Sequence, residues 1–407
     1  MEKEKVRLYA LTRFSVSFAL GTILPAYVLY FRHYRITLFQ IGLLAAVFEA
    51  SILLFEIPTG LVADVFGRRM SVILSAVVSF ISGLVFILFP FLGAFIVAEI
   101  VGGLGETLRS GALEAWLVDT LKHEGQEDSI KHAFAQGTKF KTVGNLCGLI
   151  LGGYLATLDI RLVWVPTAIV FFVLGMFLLL KMREEYRPEK ETSERIVPKL
   201  SDTTTRSLRV IKSQRLILAL VLLALFSEFS FETISQYWQV HFSESLLINT
   251  RYFGWILAVA SVLTILFIGR VTRFFEKLRD GVHSLTILTV LFLLSLLFIA
   301  VTRSPLLAVA FFIFLQILVN FKEPIFLDLF NRHIPSEQRA TLLSFQSLVG
   351  SGGEVSAGLC IGVVAENFGL RTTFGLGTAV LFLGIVVFLL LATARPTRCG
   401  AQKLKAG

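Results

Sequence analysis

Twelve apolar windows follow one another along the chain, beginning near Leu8, Leu38, Met70, Phe91, Ala133, Leu162, Leu216, Tyr252, Leu285, Pro305, Leu342 and Thr372. Each is long enough for an α-helix to cross a bilayer, which takes roughly 17 to 25 residues. Between the sixth and seventh windows, Lys181 to Arg215 is polar, with two prolines and ten basic residues. That composition predicts a solvated connection, with an amphipathic piece near Leu208 to Ile211. The expected architecture is an all-α membrane protein of twelve transmembrane helices in two six-helix halves. The halves cover 1–182 and 214–394, joined by a linker over 183–213 and followed by a tail over 395–407. The opening MEKEKVR leads into an apolar run of roughly 20 residues, too long for the core of a typical signal peptide, so the first helix is expected to be retained.

Composition agrees, and charge adds an orientation. The 407 residues are 55% hydrophobic and 16% charged, with a mean hydropathy of +0.76, against roughly 25% charged residues in soluble proteins. A net charge of +9 would suit nucleic acid or anionic lipid, but its distribution gives a simpler account. With the N-terminus in the cytoplasm, 27 of the 38 Lys and Arg fall in cytoplasmic segments and tails and 6 in external loops. The positive-inside bias then predicts both tails in the cytoplasm and the chain in the plasma membrane, with no nucleic-acid partner. Cys147 and Cys360 sit in apolar runs and Cys399 in the basic tail, which gives neither a disulfide framework nor a metal-ligand spacing. No Gly-x-x-x-x-Gly-Lys-Ser/Thr loop occurs, and the six histidines show no paired ligand spacing. Neither a nucleotide-driven pump nor an enzyme is expected, and no cofactor or metal; an ion gradient is the expected energy source.

A charge at the bilayer centre costs about 2.5 to 3.5 kcal/mol on insertion scales, so each one retained needs a partner or a wet cavity. The third, sixth, ninth and twelfth windows carry no Asp, Glu, Lys or Arg until their ends, whereas the other helices hold Arg13, Glu49, Glu56, Glu99, Glu106, Arg109, Lys139, Lys141, Glu228, Glu232, Lys322, Glu323 and Glu354. At helical spacing, Glu228, Glu232, Ser235, Gln236 and Gln239 of the seventh window fall within an arc of about 100°. Gln316, Asn320 and Glu323 align in the tenth window, and Ser344, Ser347, Ser351 and Glu354 in the eleventh. The expected substrate and proton cavity is therefore lined by Glu49, Glu106, Arg109, Asn145, Glu228, Glu232, Gln236, Gln316, Asn320 and Glu354. Acids outnumber bases near the midplane, which suits a proton carrier, with Glu228 and Glu232 the first candidates, and leaves room for a cationic or zwitterionic small molecule. The alternative is that the acids pair with Arg109, Lys139, Lys141 or Lys322 only to hold helices together.

Between the second and third windows stands Gly60-x-x-x-Asp64-x-x-Gly67-Arg68-Arg69, preceded by FEIP at Phe55 to Pro58. This string resembles the loop between helices 2 and 3 of the major facilitator superfamily of secondary transporters. NRHIPSEQRATLLS, from Asn331 to Ser344, resembles the loop between helices 10 and 11 in the same family, and Gly269 to Arg279 is a degenerate echo of the first motif. The resemblance implies two halves built from three-helix inverted repeats, with every third helix peripheral, that rock about a midplane site. It also implies that Asp64, Arg68 and Arg69 latch the cytoplasmic ends of helices 2 and 3 against helix 11 near Arg339 when the protein faces outward. Gly144-x-x-x-Gly148-x-x-x-Gly152-Gly153 predicts close helix packing. The same glycine string resembles the antiporter signature of the family's exporters, but Leu149 stands where they carry proline, and Glu99 where they carry a helix-4 arginine. The expected function is proton-coupled transport by a monomer in a lipid bilayer, with efflux ahead of an uptake symporter or uniporter; a non-transporting receptor or scaffold of the same fold is the alternative of a different class.

Overall fold

The computed structural model describes residues 2–184, 214–277, 281–334 and 339–393, which form helices and short turns with no strand among them. In the first half these are α1 (Glu2–Ile23), α2 (Tyr27–His33), α3 (Leu38–Phe66), α4 (Arg68–Leu88), α5 (Leu92–Arg109), α6 (Ala112–His123), α7 (Ile130–Leu158) and α8 (Val165–Lys181). In the second they are α9 (Arg215–Val240), α10 (Arg251–Lys277), α11 (Gly281–Val301), α12 (Pro305–His333), α13 (Arg339–Phe368) and α14 (Leu370–Thr393). Most of the expected linker, the tail, and the loop stretches at 278–280 and 335–338 lie outside the described residues.

Among the described residues, nine helices are long and apolar enough to cross a membrane, and α1 with α2 forms a tenth span bent by 43°. The two remaining windows correspond to α5 and α7. Their apolarity is diluted by Glu99, Glu106 and Arg109 in α5 and by Lys131, Lys139 and Lys141 in α7. The bend between α1 and α2 falls at Pro25, which has no N–H to continue the ladder. Thr37 and Gln40 cap α3 reciprocally, Thr37 Oγ1 accepting from the Gln40 N–H and Gln40 Oε1 from the Thr37 N–H. Gly67 ends α3 and starts α4 at φ 99°, a left-handed conformation that a side chain resists.

Buried apolar side chains form three clusters. One draws on both halves, joining Tyr30, Phe31, Phe86, Phe95 and Trp164 to Trp238, Phe242, Phe253 and Phe312. The others each stay within one half, around Tyr9, Leu113, Trp116 and Leu178 in the first, and around Leu220, Leu285, Phe330 and Phe388 in the second. The molecule thus has a closed end, where the halves share a core, and an open end, where each keeps its own.

Candidate functional site

At the closed end, α3 crosses α13 so tightly that a Cβ on Gly42 would collide with the Gly358 carbonyl, and one on Gly358 would stand 2.7 Å from the Gly42 carbonyl. In the same way α10 meets α7, where a Cβ on Gly254 would strike the Leu149 carbonyl and Gly153 packs beside Gly254. Gly144, Gly148 and Gly152 face the other way, against the backbone of Phe14, Phe18 and Thr22 in α1. The glycine string therefore serves two contacts, three positions within the first half and one between halves.

Polar contacts complete the closure. Gln239 of α9 is 2% exposed; its Nε2 donates to the Leu24 carbonyl at 2.9 Å and its Oε1 accepts from the Val28 N–H at 2.9 Å. Those two backbone groups would bond each other in an unbroken helix. The Gln239 amide is inserted between them, so the second half satisfies the break that Pro25 makes in the first. Gln236 Nε2 donates to the Ile41 carbonyl at 3.1 Å, Tyr237 Oη to the Leu38 carbonyl at 2.8 Å, and Glu366 accepts from the Leu38 N–H at 2.8 Å.

Below this closure lies a cavity of about 460 Å³ between the halves. Glu49, Glu106, Arg109, Glu232, Gln236 and Gln316 line it, together with Tyr27, Phe48, Glu99, Trp164, Ser235, Trp238 and Gln239. Tyr27 Oη donates to Glu99 Oε1 at 2.5 Å, and Glu99 is 4% exposed. Arg109 is ion-paired with Glu106 one turn away, which leaves three carboxyl groups facing the cavity without a cation on its wall. The third and sixth windows reach it as well, through Ser79, Ser82, Gly83 and Phe86 of α4, and through Trp164 with Thr167 and Phe171 of α8. The expectation that every third helix stays clear of the cavity is corrected there. Gly102 and Gly103 of α5 carry no side chain between α4 and α3, a Cβ on them standing 3.3 Å from Ser82 Oγ and 2.8 Å from Ser51 Cβ; α5 thus packs thinly enough for α4 to show through.

A second cavity, of about 330 Å³, lies inside the second half. Glu228 and Glu354 belong to this one, with Lys322, Glu323, Ser347 and Ser351. Glu49 of α3 lines the first cavity and Glu354 of α13 the second. Asn145 and Asn320 line neither cavity; Asn320 is exposed, and its Nδ2 donates to the Gln316 carbonyl one turn back, which turns it away from the site.

At the open end, Gly60 lies inside α3 rather than in the expected loop and is exposed with nothing packed on it, and Asp64 is exposed too. Arg68 pairs with Asp119 of α6 at 2.8 Å, and its N–H donates to Glu184 at 2.7 Å. Arg69 Nε donates to the Met182 carbonyl at 2.5 Å and its Nη2 to the Leu179 carbonyl at 3.0 Å. Both arginines thus bind within their own half. The Arg339 backbone begins α13, while its side chain lies outside the described set. Sequence reasoning had no place for Tyr27, Trp164 or Trp238 in the site; it set Gln239 on the polar face of the seventh window and Glu99 where the family's exporters carry arginine without assigning either to the cavity, and Pro25, two residues before Tyr27, is the signal that marks the break.

A family model described as the Major Facilitator Superfamily matches residues 9–353. The "Uncharacterized MFS-type transporter YxaM" of Bacillus subtilis (strain 168) is 26% identical over 374 residues, spanning 91% of this chain and 92% of its own length. Among solved structures, the nucleoside transporter NupG is similar with a TM-score of 0.80 at 12% identity, over 96% of this chain and 100% of NupG. The D-xylose-proton symporter gives 0.73 at 13% identity, over 97% of this chain and 98% of that one. A bacterial homolog to the human lysosomal transporter Spinster, in an inward-facing and unoccupied conformation, gives 0.73 at 16%, over 96% and 97%. At such identities the solved structures speak for the fold alone.

Proposed function

Because the chain belongs to the Major Facilitator Superfamily, we propose that it moves a small organic solute across the plasma membrane by alternating access, coupled to protons and in the direction of efflux. Membership makes it a multi-pass membrane transporter; solute, coupling and direction are our reading. With both tails cytoplasmic, as the distribution of Lys and Arg favours, the closed end is external and the first cavity opens inward. A single monomer encloses the whole pathway.

The observation that carries the reading is the imbalance of charge in the first cavity. Four glutamates face it, against one arginine that is already paired. Buried carboxylates without cations are expensive, so they hold protons or attract a cationic group. Trp164, Trp238 and Tyr27 add aromatic faces that favour a cation. A cationic or zwitterionic solute is the class that suits such walls, and exchange of that cation for protons gives efflux. Glu232 in this cavity and Glu228 in the second are the candidate proton carriers. A second reading, uptake by symport, is favoured by Leu149, which stands where the family's exporters have proline and whose carbonyl packs on Gly254.

The test is proton movement in proteoliposomes with an entrapped pH dye, on addition of cationic drugs, sugars, amino acids or organic acids. The reading expects a proton signal with cationic or zwitterionic compounds that Glu232→Gln abolishes; its sign separates efflux from uptake. Solute flux that ignores both the pH gradient and the membrane potential would overturn the coupling, and binding without flux would favour a receptor.

A further inference from the structure

We propose that the first cavity holds an aryl-amine site within the first half, in which Glu99 is the counter-ion of the ammonium group and Gly102 is the residue that admits the ring. The inference rests on the solute cavity read above and narrows it to a monovalent cation carried on a flat apolar body. It gives that cation to an acid with no other assigned part in transport. The cavity is lopsided. From the second half it touches only one face of α9, with Leu257 of α10 and Gln316 of α12, whereas in the first half it runs back past α5 to Gly83 of α4 and Phe171 of α8. This side arm exists because α5 has no side chain at Gly102, where a Cβ alone would stand 3.3 Å from Ser82 Oγ and 3.7 Å from the Phe48 ring. On the far wall Gly83 lies against Ala168, a Cβ there standing 3.5 Å from the alanine, so neither helix fills the space.

The arm offers apolar walls. Ile23, Phe48, Phe86 and Phe171 line it, and the hydroxyls of Ser82 and Thr167 are turned onto backbone, donating to the Ala98 and Ala19 carbonyls at 2.8 Å each. A sugar or a peptide would find few partners for its polar groups there, while an aromatic ring needs none. Glu99 stands one turn before Gly102 on the same face of α5. It is 4% exposed; Tyr27 Oη occupies its Oε1 at 2.5 Å, and its Oε2 has no hydrogen-bond partner among the described residues. A buried carboxyl oxygen left open in a cavity wall calls for a cationic donor. The rings of Tyr27 and Trp164, with centroids 6.3 Å apart, add aromatic neighbours for an ammonium group. An ammonium bound at Glu99 then lays its ring over Gly102. A carboxylate on the same solute would face Glu49 and Glu232, with Arg109 already paired to Glu106. The site therefore selects an amine over the corresponding amino acid.

The test is binding to the whole protein in detergent, near neutral pH where a primary amine is charged, read by calorimetry with empty micelles as the blank. The probe is naphthylethylamine. Its relatives are naphthylalanine, which adds a carboxylate, ethylamine, which lacks the ring, and naphthylethanol, which lacks the charge. The proposal expects the probe to bind about tenfold or more tighter than each relative. Glu99→Gln keeps the acceptor for Tyr27 and loses the charge, so it should weaken naphthylethylamine by about tenfold and leave naphthylethanol within about twofold. Gly102→Leu fills the arm and should weaken both naphthyl compounds by about tenfold. Phe171→Ala widens the arm and should instead raise the affinity for the larger anthrylethylamine, a gain that misfolding does not produce. A parent protein that binds none of the four compounds, or binds the probe no tighter than naphthylethanol or ethylamine, would overturn the proposal before any variant is made. Loss of the probe on Glu232→Gln but not on Glu99→Gln would overturn it as well. Proton-linked amine flux that survives both Glu99→Gln and Gly102→Leu would overturn the site and leave the transport reading standing. Binding as expected without proton-linked flux would uphold the site and remove the coupling.

Discussion

The two ends of the molecule are built differently. At the closed end one apolar cluster spans both halves, from Tyr30 and Trp164 to Trp238 and Phe312, and the polar contacts across it are mostly neutral, through Gln236, Tyr237 and Gln239 to backbone groups. At the open end each half has a separate core, and the charged contacts Lys5 with Glu124, Arg13 with Glu114 and Arg68 with Asp119 stay inside the first half. Each half is thus consolidated in itself where they part, while the shared end is held by the apolar cluster, glycine contacts, a few hydrogen bonds and the Arg32–Glu244 pair. An interface of that kind reopens without dismantling either half, which is what rocking requires.

The largest effect is expected from Gly358→Leu, which puts a side chain into the α3 backbone where α3 and α13 cross between the halves. Overpacking of this sort costs about 1 to 3 kcal/mol, and concentrated on one conformer it should reduce solute flux by roughly tenfold or more. Wild-type flux in this variant would mean that the halves need not close there. Gln239→Leu should come next. It leaves the Leu24 carbonyl and Val28 N–H without their partner, at about 1 to 3 kcal/mol for each buried unsatisfied group. The measurable outcome is faster cysteine labelling at the closed end, with the open end unchanged.

Asp64→Asn sharpens the comparison from the other side. Since Asp64 is exposed in this state, solute affinity should stay the same while turnover falls several-fold, read from binding and flux on one preparation. An equal loss of affinity would place Asp64 in the binding site instead. The smallest effect belongs to Asn320→Ala, exposed and outside both cavities. Stability and affinity should stay within about 0.5 kcal/mol of wild type.

The helix windows and the membrane charges were readable, because each depends on local composition. Which neighbour a polar face meets was not. Glu228 and Glu232 are four residues apart on one face of α9, yet they open onto different cavities. Asn320 shares a stripe with Gln316, but its amide folds back on the helix. Periodicity gives a direction around one helix, and the packing of the others decides what lies in that direction. Pro25 was equally hard to weigh. A proline in a membrane helix is tolerated when another segment satisfies the freed backbone, and that segment, Gln239, lies over two hundred residues away.

The central claim, that this is one state of a rocking pair of halves, is tested most directly by two distances in the same protein. Spin labels on Leu158 and Leu306 would report the closed end, and labels on Leu180 and Phe274 the open end, all four positions being exposed. On addition of a transported cation, the account predicts that the first distance lengthens as the second shortens. Two distances that move in the same sense, or that both stay fixed under conditions of active flux, would contradict it.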